Sequence, residues 1–284
     1  MTNDMTNYET IKVQVTDEGV AQITLAVPEK RNPISVKMMD EVQRTLASFK
    51  QSDTVKAVVF NGEGPDFCAG HDLLAHVQIT GKHRPWREDD ARKYIDHVRE
   101  HWYDPIMAFP KPLIAAVHGR MFAGGVEFGL MCDITIADEH ATFSYDIHRV
   151  TGVSVGNMLP WTIGRKKAFE LYVAGATVDA QEAMRLNMVN RVVSRDALVP
   201  EAMRMGTILA RIPAEVVKLN KLSLRHTYDL MGMREARFYS QELDMFAHLR
   251  EGAEVESEAR FNHGIGYVVA ARRARFADVE TPYV

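Results

Sequence analysis

Apolar and polar positions alternate at the start of the chain and then change to a helical spacing. Residues 10–16 and 20–26 alternate on either side of Asp17-Glu18-Gly19, a pattern that predicts a β-hairpin. From Val36 to Phe49 apolar residues recur every three or four positions, which predicts a helix with Ser35 as its N-cap. The chain therefore opens with two paired strands and a helix.

Strands and helices continue to alternate through the middle of the chain. Short apolar runs predict buried strands at 55–60, 113–117, 133–137, 141–144 and 190–193. An apolar helix is expected from about Gly125 to Cys132, directly after a glycine-rich turn. Residues 75–105 are polar, charged and aromatic with little periodicity over their first half, so we expect a mobile, partly helical excursion there.

From about residue 155 onward the pattern is helical apart from the short strand at 190–193. Pro213 suits the first position of a helix. The last helices are expected at about 213–230, at 234–250 and from 253 onward. Strands alternating with helices predict an α/β fold. We divide the chain into an α/β core, 1–205, and a C-terminal helical region, 206–284, which could serve packing or assembly.

Composition narrows the classes of function. The 284 residues carry a net charge of -4 and no basic run, so nucleic acid is not the expected partner. No window approaches the roughly 18 apolar residues of a membrane span, and the first residues lack a secretion-signal pattern, so the cytoplasm is expected. In a reducing compartment Cys68 and Cys132 would be free, buried thiols. No cysteine or histidine spacing predicts a metal site.

Two glycine-containing loops carry the chemistry. The first is Phe67–Leu73 and the second Gly119–Glu127, and each follows a predicted buried strand. Glycine lets the backbone approach a ligand closely. In the second loop the glycines open a helix, whose N-terminus presents unpaired N–H groups. Two such amides directed at one carbonyl oxygen would form an oxyanion hole.

Glu127 lies three residues after Gly124, in the first turn of that predicted helix. A carboxylate there would lie close to the oxyanion site, so it is a candidate general acid or base. The alternative is that Glu127 only complements the helix dipole. The loop alone favours neither interpretation.

Taken together, these segments resemble the crotonase superfamily, the relatives of enoyl-CoA hydratase and isomerase. The matching segments occur in the family's order and cover roughly residues 10–210: PEKRN at 28–32, FCAGHDL at 67–73, PKPLIAAVHG at 110–119, AGGVEFGLMCDITIA at 123–137, ATFSYDI at 141–147 and GATVDAQEAMRLNMVNRVV at 175–193. Each motif is weak alone, and the ordered set is specific. The resemblance implies a spiral of repeated ββα units, with C-terminal helices that assemble trimers or hexamers made of two trimers.

The resemblance also implies roles for particular residues. The oxyanion amides would be the backbone N–H groups of His71 and Gly124, so the imidazole of His71 need not be catalytic. The remaining residues expected to bind coenzyme A or substrate are Lys30, Arg31, Ala69, Gly70, Asp72, Leu73 and Gly125. Lys30 and Arg31 could contact the coenzyme A phosphates, or they could be two solvated loop cations. The aromatic residues of 75–105 would flank the acyl pocket.

One departure from the family pattern concerns the second glutamate that hydratases use with the first. Glu127 matches the first, but the stretch from Phe143 to Gly152 contains no glutamate. Asp146 and His148 are the titratable groups nearest the missing position. Either could act as the second acid or base, since histidine titrates near neutral pH. Alternatively, Asp146 caps a turn and His148 is a bystander.

These residues predict an enzyme that acts on an acyl-CoA, with an enoyl-CoA hydratase, a lyase, as the leading hypothesis. An enoyl-CoA isomerase, a thioester hydrolase or a C–C bond hydrolase on the same scaffold is the alternative, and a non-catalytic coenzyme A-binding protein is a third. A nicotinamide dehydrogenase is disfavoured because the Ala123–Gly129 stretch does not match GxGxxG. No cofactor is expected beyond the coenzyme A of the substrate, and no membrane partner.

Overall fold

The computed structural model describes residues 7–83, 85–145 and 152–279. Its strands form two sheets. The larger has six strands in the order β1-β2-β3-β4-β6-β9 and the smaller has the order β5-β7-β8. The strands are β1 Ile11–Val15, β2 Val20–Leu25, β3 Ala57–Gly62, β4 Leu113–Val117, β5 Arg120–Phe122, β6 Ile134–Asp138, β7 Thr142–Ser144, β8 Thr177–Asp179 and β9 Arg191–Val193.

Helices connect the strands, and in the described part of the chain four long helices follow the last strand. They are α1 Val36–Gln51, α2 Ala75–Thr80, α3 Glu88–Val98, α4 Asp104–Met107, α5 Gly124–Met131, α6 Leu159–Ile163, α7 Arg165–Tyr172, α8 Ala180–Arg185, α9 Leu198–Ala210, α10 Ala214–Leu230, α11 Met233–His248 and α12 Glu251–Phe276. A π-helical segment, Arg99–Tyr103, joins α3 to α4. Within the described ranges, the helices are too short or too polar to cross a membrane.

The amino-terminal predictions are confirmed. β1 and β2 pair antiparallel with Ile11 opposite Leu25, and the remaining strands of the large sheet run parallel. Ser35 is the N-cap of α1, and its side chain accepts a hydrogen bond from Met38 N at 3.1 Å. Because parallel strands end at one edge of the sheet, the loops after β3 and β4 are brought together there.

The large sheet is covered on both faces. Alternate residues of β3 divide between the two layers: Val58 and Phe60 pack with the apolar face of α1, whereas Val59 packs with α9. Gly206 allows α9 to approach closely, because a Cβ there would lie 2.7 Å from Val20 Cγ1. The proposed boundary between residues 205 and 206 falls inside α9, which packs on the sheet.

Three expectations need correction. The stretch 75–105 is largely helical, and Trp102 and Tyr103 within it are 0% and 1% exposed, so it is a packed layer. Its first half contains α2, a helix of only six residues, which has too few turns to show a 3.6-residue spacing. β5 and β8, three residues each, were not expected, because so short a run carries no usable alternation. Pro213 precedes α10 as its N-cap instead of opening it.

Candidate active site

The two glycine-containing loops meet through their backbones. A Cβ on Gly70 would lie 2.7 Å from Phe122 O, and a Cβ on Gly125 would lie 2.5 Å from Cys68 O. Real Cβ atoms do not tolerate such distances, so the two loops can approach only because both positions are glycine. Gly70 also has φ of 83°, in the left-handed region that favours glycine.

The amides of His71 and Gly124 lie side by side at this junction. A Cβ on Gly124 would be 3.4 Å from His71 N, and Gly124 is the first residue of α5. Within residues 7–83, 85–145 and 152–279, neither N–H donates a hydrogen bond. Ala123, just before the helix, has φ of 42°, a strained value for a residue with a side chain. Two amides that donate no hydrogen bond in the described ranges therefore lie close together at this strained turn.

Glu127 follows in the first turn of α5 and is 1% exposed. Its Oε1 accepts hydrogen bonds from the hydroxyls of Tyr145 at 2.9 Å, Tyr172 at 2.7 Å and Ser154. Its Oε2 accepts one from Met158 N at 3.2 Å. The carboxylate is thus surrounded by donors, with three hydroxyls on one oxygen and a single amide on the other.

Burial raises the pKa of Glu127 above its ordinary value, because the charged form loses its hydration. The hydrogen bonds from Ser154, Tyr172, Tyr145 and Met158 favour the charged form and oppose this rise. A carboxyl whose pKa is raised by burial and limited by its donors is suited to accept and return a proton.

Gly156 allows the Glu127 carboxylate and the Tyr103 ring to approach each other. A Cβ at this position would lie 2.1 Å from Glu127 Oε2 and 2.9 Å from Tyr103 Cε1. The carboxylate and the Tyr103 ring therefore flank the same glycine. The Tyr103 hydroxyl lies 3.3 Å from His71 Nε2, which connects this side of the site to the unpaired amides.

His71 is partly buried, and its ring lies against Tyr103. Burial lowers the pKa of His71 to about 4, and the nearby Asp244 carboxylate opposes that change only partly. The ring is therefore neutral at neutral pH. Its Nδ1 is buried and has no hydrogen-bond partner in the described part of the chain.

Lys30 and Arg31, two other predicted binding residues, lie on the loop next to the one that carries His71. Lys30 and Arg31 are exposed, and Arg31 Nε lies 3.5 Å from Asp66 Oδ2. Arg31 O accepts a hydrogen bond from Ala69 N at 2.9 Å, which ties this loop to the one that carries His71.

Asp72 and Leu73, which follow His71 in the same loop, are held by other contacts. Asp72 Oδ1 accepts from Leu74 N at 2.9 Å, so this carboxylate caps the turn before α2. Leu73 O accepts a hydrogen bond from Arg260 Nη1 of α12 at 3.2 Å.

Sequence reasoning placed Glu127 and the amides but missed the hydroxyls around the carboxylate. Tyr145 lies within the matched ATFSYDI motif, and its hydroxyl close in sequence to the position of the missing glutamate was the only signal for it. Ser154 and Tyr172 are 27 and 45 residues from Glu127 in the chain and carry no pattern that links them to it. Asp146 and His148 lie outside the described residues, so their role stays a prediction.

The thiol prediction is confirmed, because Cys68 and Cys132 are free and buried. In the described ranges, no three His, Cys, Asp or Glu side chains are grouped so that they could hold a metal ion.

Comparison with known proteins identifies the family. The model of the enoyl-CoA hydratase/isomerase family matches residues 15–279. A crystal structure of an enoyl-CoA hydratase/isomerase from Xanthobacter autotrophicus Py2 is 32% identical and superposes with a TM-score of 0.86, covering 95% of this chain and 99% of that one. The chain belongs to the enoyl-CoA hydratase/isomerase family and has the crotonase fold.

One further relative agrees with this assignment, and one further structure shares the fold. The mevalonyl-coenzyme A hydratase of Aspergillus fumigatus is 30% identical over 75% of this chain and 77% of its own length. An enoyl-CoA hydratase structure from Mycobacterium smegmatis shares the fold with a TM-score of 0.86, at 22% identity over 98% of both chains. The predictions of a crotonase fold and of an enzyme of the enoyl-CoA hydratase/isomerase type are thus confirmed.

Proposed function

We propose that this protein is an enoyl-CoA hydratase, which adds water across the double bond of an enoyl-CoA thioester. The observation that carries the proposal is the arrangement of two adjacent unpaired amides, His71 N–H and Gly124 N–H, with the Glu127 carboxylate in the first turn of the same helix. Membership of the family supports the substrate class.

In the proposed mechanism the thioester oxygen accepts hydrogen bonds from His71 N–H and Gly124 N–H. As water adds to the β-carbon, Glu127 takes a proton from it, and negative charge develops on the thioester oxygen. The two amides stabilise this enolate, and removal of one such donor typically costs about a hundred- to thousand-fold in rate. A second group protonates the α-carbon, and Asp146 or His148 is proposed for that step.

The loops around these amides would bind coenzyme A. Ala69, Gly70, Asp72, Leu73 and Gly125 lie in or against the loop that presents His71, and Lys30 and Arg31 are exposed on the neighbouring loop. Cations at the mouth of a site attract an anionic ligand. The chemistry requires no cofactor beyond the coenzyme A of the substrate.

The test is loss of the conjugated enoyl absorbance of crotonyl-CoA, with free thiol measured in parallel. The wild type should consume the enoyl thioester without releasing thiol, and Glu127→Gln should lose most of that activity. Thiol release would indicate a thioester hydrolase, and stable crotonyl-CoA that nevertheless binds would refute hydration of this substrate.

An enoyl-CoA isomerase is the second candidate. Glu127 lies buried in the first turn of the helix that begins at Gly124, and shifting a double bond requires a single base that moves one proton between carbons. A hexenoyl-CoA with an unconjugated double bond distinguishes the two. An isomerase makes the conjugated absorbance appear, whereas a hydratase alone does not.

We also propose that the protein assembles as a homotrimer, or as a hexamer of two trimers. α10 has no buried residue, yet it exposes leucines at Leu219 (64%), Leu222 (47%), Leu224 (65%) and Leu230 (76%). An apolar surface of this kind is typically covered by another subunit. Sedimentation should show trimers or hexamers, and Leu224→Glu should shift them towards monomers. A monomeric wild type would contradict the proposal.

Free, buried cysteines are typical of a reducing compartment, so we propose a cytoplasmic location and a role in acyl-CoA metabolism such as that of fatty acids. Fractionation of cells that express the protein would test the location.

A further inference from the structure

One face of α11 brings polar side chains to the interior beside the candidate active site. Arg237, Gln241 and Asp244 are spaced four and three residues apart, so they lie on one side of the helix. Gln241 and Asp244 are 2% and 3% exposed, and the Arg237 side chain is 12% exposed. A buried polar stripe on a helix requires partners.

This polar stripe is fixed next to Glu127. Asp244 Oδ1 accepts a hydrogen bond from Val153 N at 2.6 Å, and Ser240 Oγ donates to Ser154 O at 2.7 Å. The hydroxyl of Ser154 in turn donates to Glu127 Oε1. The stripe is therefore separated from the carboxylate by a single segment of backbone.

A contact places the stripe close to Tyr103 as well: Arg237 Nη2 lies 3.5 Å from Oδ1 of Asp104, the residue after Tyr103. Burial raises the pKa of Tyr103 well above its ordinary value, the charges of Glu127 and Asp244 raise it further, and Arg237 opposes them. The Tyr103 hydroxyl in turn lies 3.3 Å from His71 Nε2, so contacts connect the stripe, Tyr103 and His71, and these residues define one region beside Glu127.

Three buried atoms around this region have no hydrogen-bond partner in the described ranges: Gln241 Oε1, Arg237 Nε and His71 Nδ1. Leaving such an atom unpaired typically costs about 1–3 kcal/mol. Several in one place beside a catalytic carboxylate indicate that a ligand supplies the missing partners. The Gln241 amide can present either its oxygen or its nitrogen, so it suits a hydroxyl or a carbonyl group.

The charges around the region favour a neutral ligand group over a carboxylate. Glu127 and Asp244 both carry carboxyl groups here, and Arg237 Nη2 already lies 3.5 Å from Asp104 Oδ1. An additional carboxylate would lie beside these like charges, and Arg237, the cation of the stripe, already pairs with Asp104. A ketone or hydroxyl can accept a hydrogen bond from Arg237 Nε–H without that penalty.

We propose that the acyl chain of the substrate carries a neutral oxygen substituent, a ketone or a hydroxyl beyond its reacting carbons, which Gln241 and Arg237 bind. This inference rests on the proposed function and deepens it. It separates an oxygenated acyl-CoA from the unsubstituted chain of a simple fatty acyl group.

The test compares conjugated hexenoyl-CoA with the same thioester carrying a ketone on its penultimate carbon. The wild type should have a kcat/KM at least about tenfold higher for the ketone, since one satisfied buried hydrogen bond is worth roughly that factor. Gln241→Met has nearly the same shape and should reduce this preference severalfold or more. Gln51→Met, at an exposed position, should keep it.

Binding separates this inference from the proposed reaction. Calorimetry would compare saturated hexanoyl-CoA with its penultimate-carbon ketone, neither of which can be hydrated. Tighter binding of the ketone, without turnover of either enoyl thioester, would support the inference and contradict the hydratase proposal. Equal or weaker binding of the ketone, or an equal kcat/KM for the two enoyl thioesters, would overturn the inference.

Discussion

The hydroxyl of Tyr172 offers a direct way to perturb the proposed base. It donates to Glu127 Oε1 at 2.7 Å, and Tyr172→Phe removes that bond while keeping the ring. A hydrogen bond to a charged group contributes roughly 1.5–3 kcal/mol. Because about 1.4 kcal/mol corresponds to one pKa unit, the pKa of Glu127 should rise by about one to two units.

The direction in which the pH profile should shift follows from the role proposed for Glu127. As a base it acts in its ionised form, so a higher pKa lowers the active fraction at acidic pH. The acid limb of kcat/KM against pH should move upward by about one to two units in Tyr172→Phe, and the activity should recover at higher pH. The profile is measured with whichever enoyl-CoA the wild type hydrates, between about pH 5 and pH 9.

A matched control removes a hydroxyl that is remote from the carboxylate. Tyr239 on α11 is 67% exposed, and Tyr239→Phe should leave the profile where the wild type has it. An acid limb that stays in place in Tyr172→Phe, with a uniform loss of activity at every pH, would refute the reasoning. Tyr172 would then only maintain the structure.

Three further predictions concern other parts of the chain. Gly156→Ala should lower kcat/KM by about a hundredfold or more, because the added Cβ would lie 2.1 Å from Glu127 Oε2 and displace the carboxylate. Steady-state kinetics measures the loss, and thermal unfolding shows whether the variant is still folded. Burial raises the pKa of Cys68 to about 12 and that of Cys132 further, so Ellman's reagent should label neither thiol at pH ~8 until the protein is denatured. Lys30→Ala should raise KM severalfold with little change in kcat, and added salt should reduce the difference; a KM equal to that of the wild type at low salt would show that Lys30 does not attract the phosphates.

Sequence patterns predicted those parts of the fold that depend on residues close together in the chain. The alternation of β1 and β2 and the N-cap of Ser35 appear within a few residues, and both are confirmed. The stretch 75–105 was misjudged because α2, the helix in its less periodic first half, has only six residues and too few turns to show a helical spacing. β8 was missed because its three residues pair with β7 from a distance, and that pairing leaves no local signal.

The candidate site divides in the same way. Gly70, Gly124 and Glu127 belong to motifs that lie within two loops, so the sequence placed them together. Tyr172 reaches Glu127 only through the three-dimensional fold, and an isolated tyrosine on a helix has no distinguishing pattern. Gln241 likewise appeared to be one of many polar residues on a helix, and only its burial reveals it as a candidate contact.

The central claim is that Glu127 and the two amides add water to an enoyl-CoA. Mass spectrometry of the thioester product, for the wild type and for Glu127→Gln, tests it most directly. The account predicts that the wild type yields a thioester heavier by one water and that the variant leaves the enoyl-CoA almost unchanged although it still binds. Hydration at the wild-type rate by Glu127→Gln would contradict the account, as would a wild type that binds enoyl-CoA thioesters and never adds water.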